Sequence, residues 1–570
     1  MGGSCCIYIN PVADPPACTD VLKRCRSEFQ KNPVQYNLLD MYGVNLVTTN
    51  GKLWERHRRI TTPPFNESVS ETVWDESARQ ADAARRSWME QSAAEEATVP
   101  VSGGGVRTTQ HDTTGIAFNV LSAAGFGIQF SFDDVVRKRA GNKAGKREGG
   151  GDDTDRSNVA KNDHTDHVMV RYRDALTLLL AHVGELILVT MLHQIWWPKF
   201  AMWGIMRAVA DAKDEYGLAL QRMIKEARQA VEEEDVAFAD QQEKEAKAKK
   251  KAASLMHSLI KASDQSDSEE GNATVERGQG GVSPGLSDEE VAGNLFVFNI
   301  AGHDTTASAL NFAITLLAAE PKWQDWLAQE IDTVTSEDQS GLKYAAVFPK
   351  LHRCLAVMYE TLRLFGPVPN TPRWTAQSYH TLTIEGKEYL IPPDTEIRLD
   401  LAALHHDRQT WGEDAEAFRP DRWIPNSTSS TSATTTTTTT PATLSNKSED
   451  VDNQPISPKN TIASAASGPS NGSFDWQSES LIAPVSGTFL PWTGGPRVCP
   501  GKKFSQVEFT SAMLRFFKGG ARVRVVQEDR ETEGEARARA SRIVHDPLVS
   551  ITLRMKNAEK IGLQWYVKSE

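Results

Sequence analysis

Long helical runs with short strand-like stretches are what this sequence predicts, on three observations. Ser287 and Glu290 form a capping-box pattern, and no proline follows until Pro321, so one helix of roughly thirty residues is expected, several times the usual length. From Gly501 the apolar residues Phe504, Val507, Leu514 and Phe517 recur at helical spacing, and Gly519-Gly520 ends the run. Pro369 to Leu390 alternates as strands do, and the tail from Val549 to Tyr566 is strand-like.

Composition bounds the class. At 570 residues the chain has room for several domains, or for one large enzyme domain carrying insertions. A hydrophobic content of 39% with 24% charged residues suits a globular fold. The net charge of −12 argues against nucleic acid as a partner, because phosphate binding needs a basic face. Six cysteines in so long a chain make no disulfide framework and suggest a reducing compartment. Cys5, Cys6, Cys18 and Cys25 crowd the start but lack the paired C-x-x-C of a zinc site. No run of about twenty apolar residues opens the chain, so neither an anchor nor a signal peptide is expected there.

Gly51 to Phe65 opens as a helix on which Trp54 and Arg58, four apart, share one face and can grip one group together. Phe118 to Gly127 reads as a buried helix closing on a glycine. Residues 137–166, rich in charge and glycine, read as a disordered insertion, as do 264–285 and the Ser/Thr-rich 426–477. Ala175 to Met206 is the most apolar stretch, but His182, Glu185 and His193 interrupt it and Pro198 breaks it. It fits either helices covering a site or an ordinary core pair. Glu232 to Lys251 is a charge-dense helical run with a solvated face.

Three further patterns carry chemistry. Ala301-Gly302-His303-Asp304-Thr305-Thr306 sits mid-helix, where Gly, Asp and Thr weaken the local propensity. Glu360 and Arg363 form a same-face pair three apart. Phe489 to Phe504 reads F-L-P-W-T-G-G-P-R-V-C-P-G-K-K-F, with a single cysteine, Cys499, just ahead of a helix. Pro500 suits the first helical position, which places Cys499 at a helix N-terminus that favours a thiolate. Gly495 and Gly501 let the backbone turn sharply and let a flat ligand approach it. A thiolate held so is what an axial ligand to heme iron requires.

The G-x-R-x-C-x-G pattern, with Trp492 seven residues before the cysteine, resembles the heme-binding loop of the cytochrome P450 family. Trp492 stands where the family usually has Phe, and the continuation through Val507-Glu508-Phe509 is similar to fungal microsomal members. The resemblance implies the cytochrome P450 fold, mainly α with a small β lobe, as a single domain over 21–570; residues 1–20 are left unassigned, as a non-native start. The relatives' N-terminal anchor region is missing here, which suggests a truncated or mispredicted beginning.

By the same resemblance the cofactor is heme b, iron protoporphyrin IX, with Cys499 as the metal ligand. Trp54, Arg58, Arg373 and Arg497 would hold its propionates, while Ala301, Gly302, Gly495 and Gly501 frame it. Thr305 would hydrogen-bond the oxygen species and Asp304 would relay protons to it. Glu360, Arg363 and Arg422 would form a buried structural network. The implied activity is that of an oxidoreductase, a monooxygenase that inserts one atom of O2 into a small hydrophobic substrate. Electrons would come from NADPH through cytochrome P450 reductase, with cytochrome b5 as an accessory donor, on the cytoplasmic face of the endoplasmic reticulum membrane. Arg56, Arg59, Lys502 and Lys503 would form the docking face. The rival readings are a reductase-independent heme-thiolate isomerase or dehydratase, and a truncated heme protein without catalysis.

Overall fold

Helices dominate, and one of them crosses the whole domain. The computed structural model describes residues 7–8, 11–97, 104–134, 136, parts of 172–190, 204–237, 254–271, 285–425, 479–550 and 552–568. In chain order the principal helices are α1 (Pro15–Lys23), α2 (Gly51–Thr61), α3 (Glu67–Ala97), α4 (Thr109–Phe126), α5 (Ile205–Ala237), α6 (Leu255–Gly271), α7 (Asp288–Ala319), α8 (Pro321–Glu337), α9 (His352–Leu364), α10 (Lys502–Phe517) and α11 (Glu533–Val544). The strands are short and make a small β lobe with outlying hairpins. Strands β1 (Ile7–Tyr8), β2 (Asn370–Trp374) and β5 (Thr395–Asp400) form a sheet in the order β1-β5-β2, with β1 parallel and β2 antiparallel to β5. Three antiparallel pairs complete the set: β3 (His380–Ile384) with β4 (Lys387–Ile391), β6 (Ala521–Val525) with β9 (Leu563–Val567), and β7 (Pro547–Val549) with β8 (Leu553–Met555).

The capping box fixes where α7 starts. The Glu290 N–H donates to Ser287 Oγ at 3.2 Å, and the Ser287 N–H donates to Glu290 Oε2 at 3.0 Å. Its 32 residues span about 48 Å and are apolar nearly all round, so most of the helix is buried. α4 and α10 pack against it, and α3 packs on both of them, around a core that includes Trp74, Trp88, Phe312, Trp323 and Trp565. α4 ends at Gly127, in the left-handed region at φ 72°, as its sequence predicts.

The start of the chain takes part in the fold. β1 joins the sheet, Asp14 caps α1, and Cys18 is buried in a small core with Leu22 and Leu399. α6 reaches Gly271, so the polar stretch predicted as a linker from 264 begins as helix; 272–284 lie outside the described residues, as do 137–166 and 426–477. Ala175, Leu176, Leu179, Leu186 and Val189 pack with α5 and the first half of α7. The described residues on either side of the Ser/Thr-rich tract, up to Pro425 and from Glu479, are tied to the fold close together. There the Ile482 N–H donates to Trp423 O at 2.8 Å, and Arg353 grips Glu479 with Nε and Nη2 at 3.0 and 2.6 Å.

Glu360, fully buried on α9, is surrounded by donors. Arg363 Nε and Nη2, Arg422 Nε and the Arg419 N–H reach it at 2.9 Å, and Trp423 Nε1 at 3.0 Å. Arg363 spends its remaining N–H groups on His405 O, Ala415 O and Ala417 O, and Arg422 reaches Trp411 O. The network thus knits α9 to the segment that leads toward Cys499. Burial alone would raise the Glu360 carboxyl, but Arg363 and Arg422 hold it below its ordinary value. Its stabilisation is therefore present above 4.5 and is lost as the pH falls through its own lower value.

Glu360→Gln is expected to cost roughly 3–5 kcal/mol at pH 7, because it leaves buried guanidinium groups without their charge partner. Denaturant unfolding across a pH series should show the gap to wild type closing below pH 4.5. Gly495 sits at φ 62°, where a Cβ would lie 2.5 Å from Leu22 O of α1. Gly495→Ala should lower stability by about 2 kcal/mol or more, read in the same unfolding experiment.

Candidate active site

A cavity of about 310 Å³ lies between the loop before α10 and the middle of α7. Trp492, Cys499, Gly501 and Phe504 line one face, and Ala301, Gly302, Thr305 and Thr306 line the other. The cysteine loop is held by its own bonds. The Cys499 N–H donates to Trp492 O at 3.0 Å, Thr493 Oγ1 to Arg497 O at 3.1 Å, and Trp492 Nε1 to Ser505 Oγ at 3.1 Å. These bonds set the loop apart from the helix: α10 starts at Lys502, and Pro500 lies in the turn before it rather than at the first helical position.

The Cys499 side chain opens onto the cavity and is otherwise enclosed by protein. That enclosure raises its thiol pKa, and the Gly501 N–H and the Arg58 charge offset the rise only in part. Gly501 has an ordinary φ of −81°, and a Cβ there would stand 3.8 Å from Cys499 Sγ. A side chain at this position would therefore make only ordinary contact with the sulfur. Gly495 does not line the cavity; its bare Cα faces α1.

On the opposite face α7 runs unbroken through 301–306. Thr305 Oγ1 donates back to Ala301 O at 2.8 Å, and Thr306 Oγ1 to Gly302 O at 3.3 Å, a bond type that satisfies the hydroxyls while loosening the helix. Gly302 lets Leu121 of α4 close in, since a Cβ would come within 3.1 Å of it. Asp304 does not share the cavity with Thr305. It is buried on another side of α7, where its carboxylate accepts from Thr552 Oγ1 and Arg554 Nη2. There it borders a pocket of about 20 Å³ with Gln110 and Asn311, large enough for one water.

Positive charge gathers at one edge of the cavity. Trp54 and Arg58 line it from α2, and the Arg497 guanidinium lies 4.4 Å from the Trp54 ring centroid. Arg497 Nη2 donates to Thr49 O at 3.0 Å and to Asn50 Oδ1 at 2.9 Å, but its Nε and Nη1 are buried without a partner. Arg373, on β2, stands behind this edge, outside the lining, with its Nε also buried and unpaired. Burial, with Arg373 adding to it, pulls Arg497 down to about 10. Unpaired buried guanidinium N–H groups call for an anion, and a pair of carboxylates suits them.

The donor set constrains what the cavity can take. Among the described residues no group of three or more His, Cys, Asp or Glu side chains could hold a metal ion. Cys499 is the one His, Cys, Asp or Glu side chain among the residues lining the cavity, so a metal there would take its other donors from a bound group. A flat iron porphyrin with two carboxylates fits the sulfur below, the small residues above and the cations at the rim.

Two residues here carry no assignment from the sequence. Lys31 lines the cavity beside Arg497, and nothing in its local sequence marks it. Glu508 of α10 is fully buried, and burial pushes its carboxyl well above the ordinary value while the Thr306 hydroxyl acts the other way. Its position between Val507 and Phe509, in an apolar helix, was the available signal. Arg56, expected on a docking face, is instead turned into Glu290 and Gly285 O.

Comparison with known proteins agrees with this geometry. The family model described as "Cytochrome P450" matches residues 8–437, stopping short of Cys499. The chain is similar to a phomenoic acid biosynthesis cluster cytochrome P450 monooxygenase of Leptosphaeria maculans, 25% identical over 88% of this chain and 71% of that one. Over 140 residues, 25% of this chain and 12% of the relative, it is 35% identical to a bifunctional cytochrome P450/NADPH–P450 reductase of Gibberella moniliformis. The heme domain of cytochrome P450DA superposes with a TM-score of 0.55 at 18% identity, covering 98% of this chain and 87% of that one, which speaks for the fold. With the family match extending over well more than half of its length, and relatives named as monooxygenases along most of it, the chain belongs to the cytochrome P450 family of monooxygenases.

Proposed function

We propose that the chain is a heme b monooxygenase that draws electrons from NADPH through a separate reductase and oxidises a small hydrophobic substrate. Two electrons and two protons reduce O2; one oxygen atom enters a bond of the substrate and the other leaves as water. The observation that carries this reading is Cys499 facing Thr305 across a cavity whose remaining walls include Phe65, Leu121, Val297, Phe298 and Val368. The heme, when bound, supplies the activation of dioxygen. Trp54, Arg58 and Arg497, backed by Arg373, hold its carboxylates, and Cys499 holds its iron. The Thr305 hydroxyl, free to turn from Ala301 O, offers a donor at the reacting face. Asp304 stores proton-relay capacity behind it and is reached from the Arg554 side.

The apolar walls support a substrate without charge near the reacting face, since a buried unpaired charge there would be costly. A fused reductase in the Gibberella moniliformis relative is consistent with reductase-supplied electrons. Among the described residues no helix is long and apolar enough to cross a membrane. Attachment to the cytoplasmic face of the endoplasmic reticulum remains part of the proposal, drawn from the family. Lys502 and Lys503, at the start of α10, contribute the basic docking surface, with cytochrome b5 as a second candidate donor.

The test is purified protein with reductase and NADPH. Substrate-dependent consumption of NADPH and oxygen supports the proposal; turnover of a peroxide without NADPH supports an isomerase or dehydratase instead. Cys499→Ser should abolish the thiolate-type absorption band of the reduced carbon monoxide complex, and an unaltered band overturns the ligand assignment. Asp304→Asn should slow substrate-dependent NADPH oxidation by roughly a hundredfold while leaving that band in place.

A further inference from the structure

Indole and phenol are the aromatic side chains that lose an electron most readily, and two indoles line the cavity, Trp54 and Trp492. They differ in surroundings. Trp54 has the buried Arg497 guanidinium 4.4 Å from its ring centroid, and a fixed cation opposes positive charge on the ring. Trp492 has the Lys502 ammonium at 5.3 Å, but Lys502 is exposed, so solvent screens it. Trp492 is also joined to a second ring that can be oxidised. Its indole is fixed by the bond from Nε1 to Ser505 Oγ, and it meets Tyr359 edge-on with ring centroids 5.7 Å apart. A Phe in place of Trp492 would leave that contact without a redox-active ring on the cavity side.

Tyr359, on α9 next to Glu360, is where such a path stops. Its ring also touches Phe489 at 5.4 Å and Trp423 at 5.3 Å. The Phe489 ring does not lose electrons at comparable potentials. Trp423 directs its indole proton at Glu360 Oε2, 3.0 Å away. Handing that proton over would neutralise the carboxylate on which the buried Arg363 and Arg422 depend. Trp411, 5.4 Å beyond Trp423, lies under the Arg363 guanidinium at 5.2 Å. Tyr359 meets neither obstacle. It is partly exposed, and its hydroxyl oxygen accepts from Gln506 Nε2 at 2.8 Å, a bond that does not use the phenol hydrogen. Burial lifts the phenol above its ordinary value, with Gln506 acting the other way, so the proton departs only together with an electron.

We propose that Trp492 and Tyr359 form an electron path out of this site, along which an oxidising equivalent not spent on substrate is filled from Tyr359 through the Trp492 ring. This rests on the heme reading above and goes beyond monooxygenation. Each pass takes one electron and one proton from Tyr359 and leaves a phenoxyl radical. Two passes supply the two electrons and two protons that turn one hydrogen peroxide into two waters. A small thiol in solution returns each radical to the phenol by giving up a hydrogen atom, and the two thiyl radicals couple to a disulfide. The further activity is thus reduction of peroxide by thiol, without NADPH.

The experiment gives the heme-reconstituted full-length protein one equivalent of hydrogen peroxide, without substrate or NADPH, and freezes it for electron paramagnetic resonance. Wild type, Tyr359→Phe and Trp492→Phe are compared, each grown with ordinary and with ring-deuterated tyrosine, which narrows a tyrosyl signal and leaves a tryptophanyl one unchanged. Wild type should give a tyrosyl signal that added thiol removes, and a nitroso spin trap should map it by mass spectrometry to Tyr359. Both variants should lose the signal and the adduct, and their heme absorbance should bleach faster under further peroxide. A trap adduct on another residue of the wild type overturns the proposal even where a variant fails to fold. So does a tyrosyl signal undiminished in either variant. Isomerising an organic peroxide draws no electrons from the protein and leaves this readout unmoved. A wild type with the thiolate-type carbon monoxide band but no radical sinks this inference alone; a wild type that takes up no heme sinks the heme reading first.

Discussion

Everything that faces the cavity depends on a carboxylate that never sees it. Glu360 gathers Arg363, Arg422, the Arg419 amide and Trp423 around a single buried charge. From there the order passes outward through definite contacts. Arg363 fixes the His405 carbonyl, and His405 Nε2 accepts the Leu490 N–H at 2.9 Å, at the entrance to the cysteine loop. That bond requires a neutral imidazole, which burial and the neighbouring Arg363 secure by pushing His405 down to about 3. Phe489 then packs at a tilt against Trp423, ring centroids 4.6 Å apart, and Tyr359 meets Trp492 edge-on at 5.7 Å. A buried pair alone is a poor source of stability; a network with every donor placed is a means of fixing one geometry.

The cavity edge obeys the opposite rule. There the protein assembles Lys31, Arg373 and Arg497 with three buried N–H groups left over. Such a cluster lowers the stability of the polypeptide by itself and regains it from an anionic ligand. Folding strength and binding strength are therefore linked through the same residues. The two halves of the site differ in kind: one is satisfied internally and holds shape, the other leaves buried donors unsatisfied.

Much of this was legible in the sequence, because several signals are local. The Ser287–Glu290 box, the four-residue spacing of Trp54 and Arg58, and the Gly127 cap each report on residues within one helical turn, and the structure realises all three. The union of Glu360, Arg363 and Arg422 was legible through resemblance, although its members lie 62 residues apart at the widest. What escaped is what depends on distant partners. Asp304 reads as a neighbour of Thr305, but on a helix adjacent residues diverge, and its direction is set by Thr552 and Arg554, about 250 positions later. Pro500 carries the chemistry of a helix start, yet the loop's own bonds delay the helix to Lys502. Lys31 sits in a segment without periodicity, and only the fold brings it beside Arg497.

The closure between Trp423 and Ile482 has a further meaning for how such a chain can vary. A backbone bond and the Arg353–Glu479 fork pin the two ends of the Ser/Thr-rich tract to the same spot. The tract's length is thereby uncoupled from the position of Cys499, which follows it. Evolution can tinker at that seam without the sulfur ever moving.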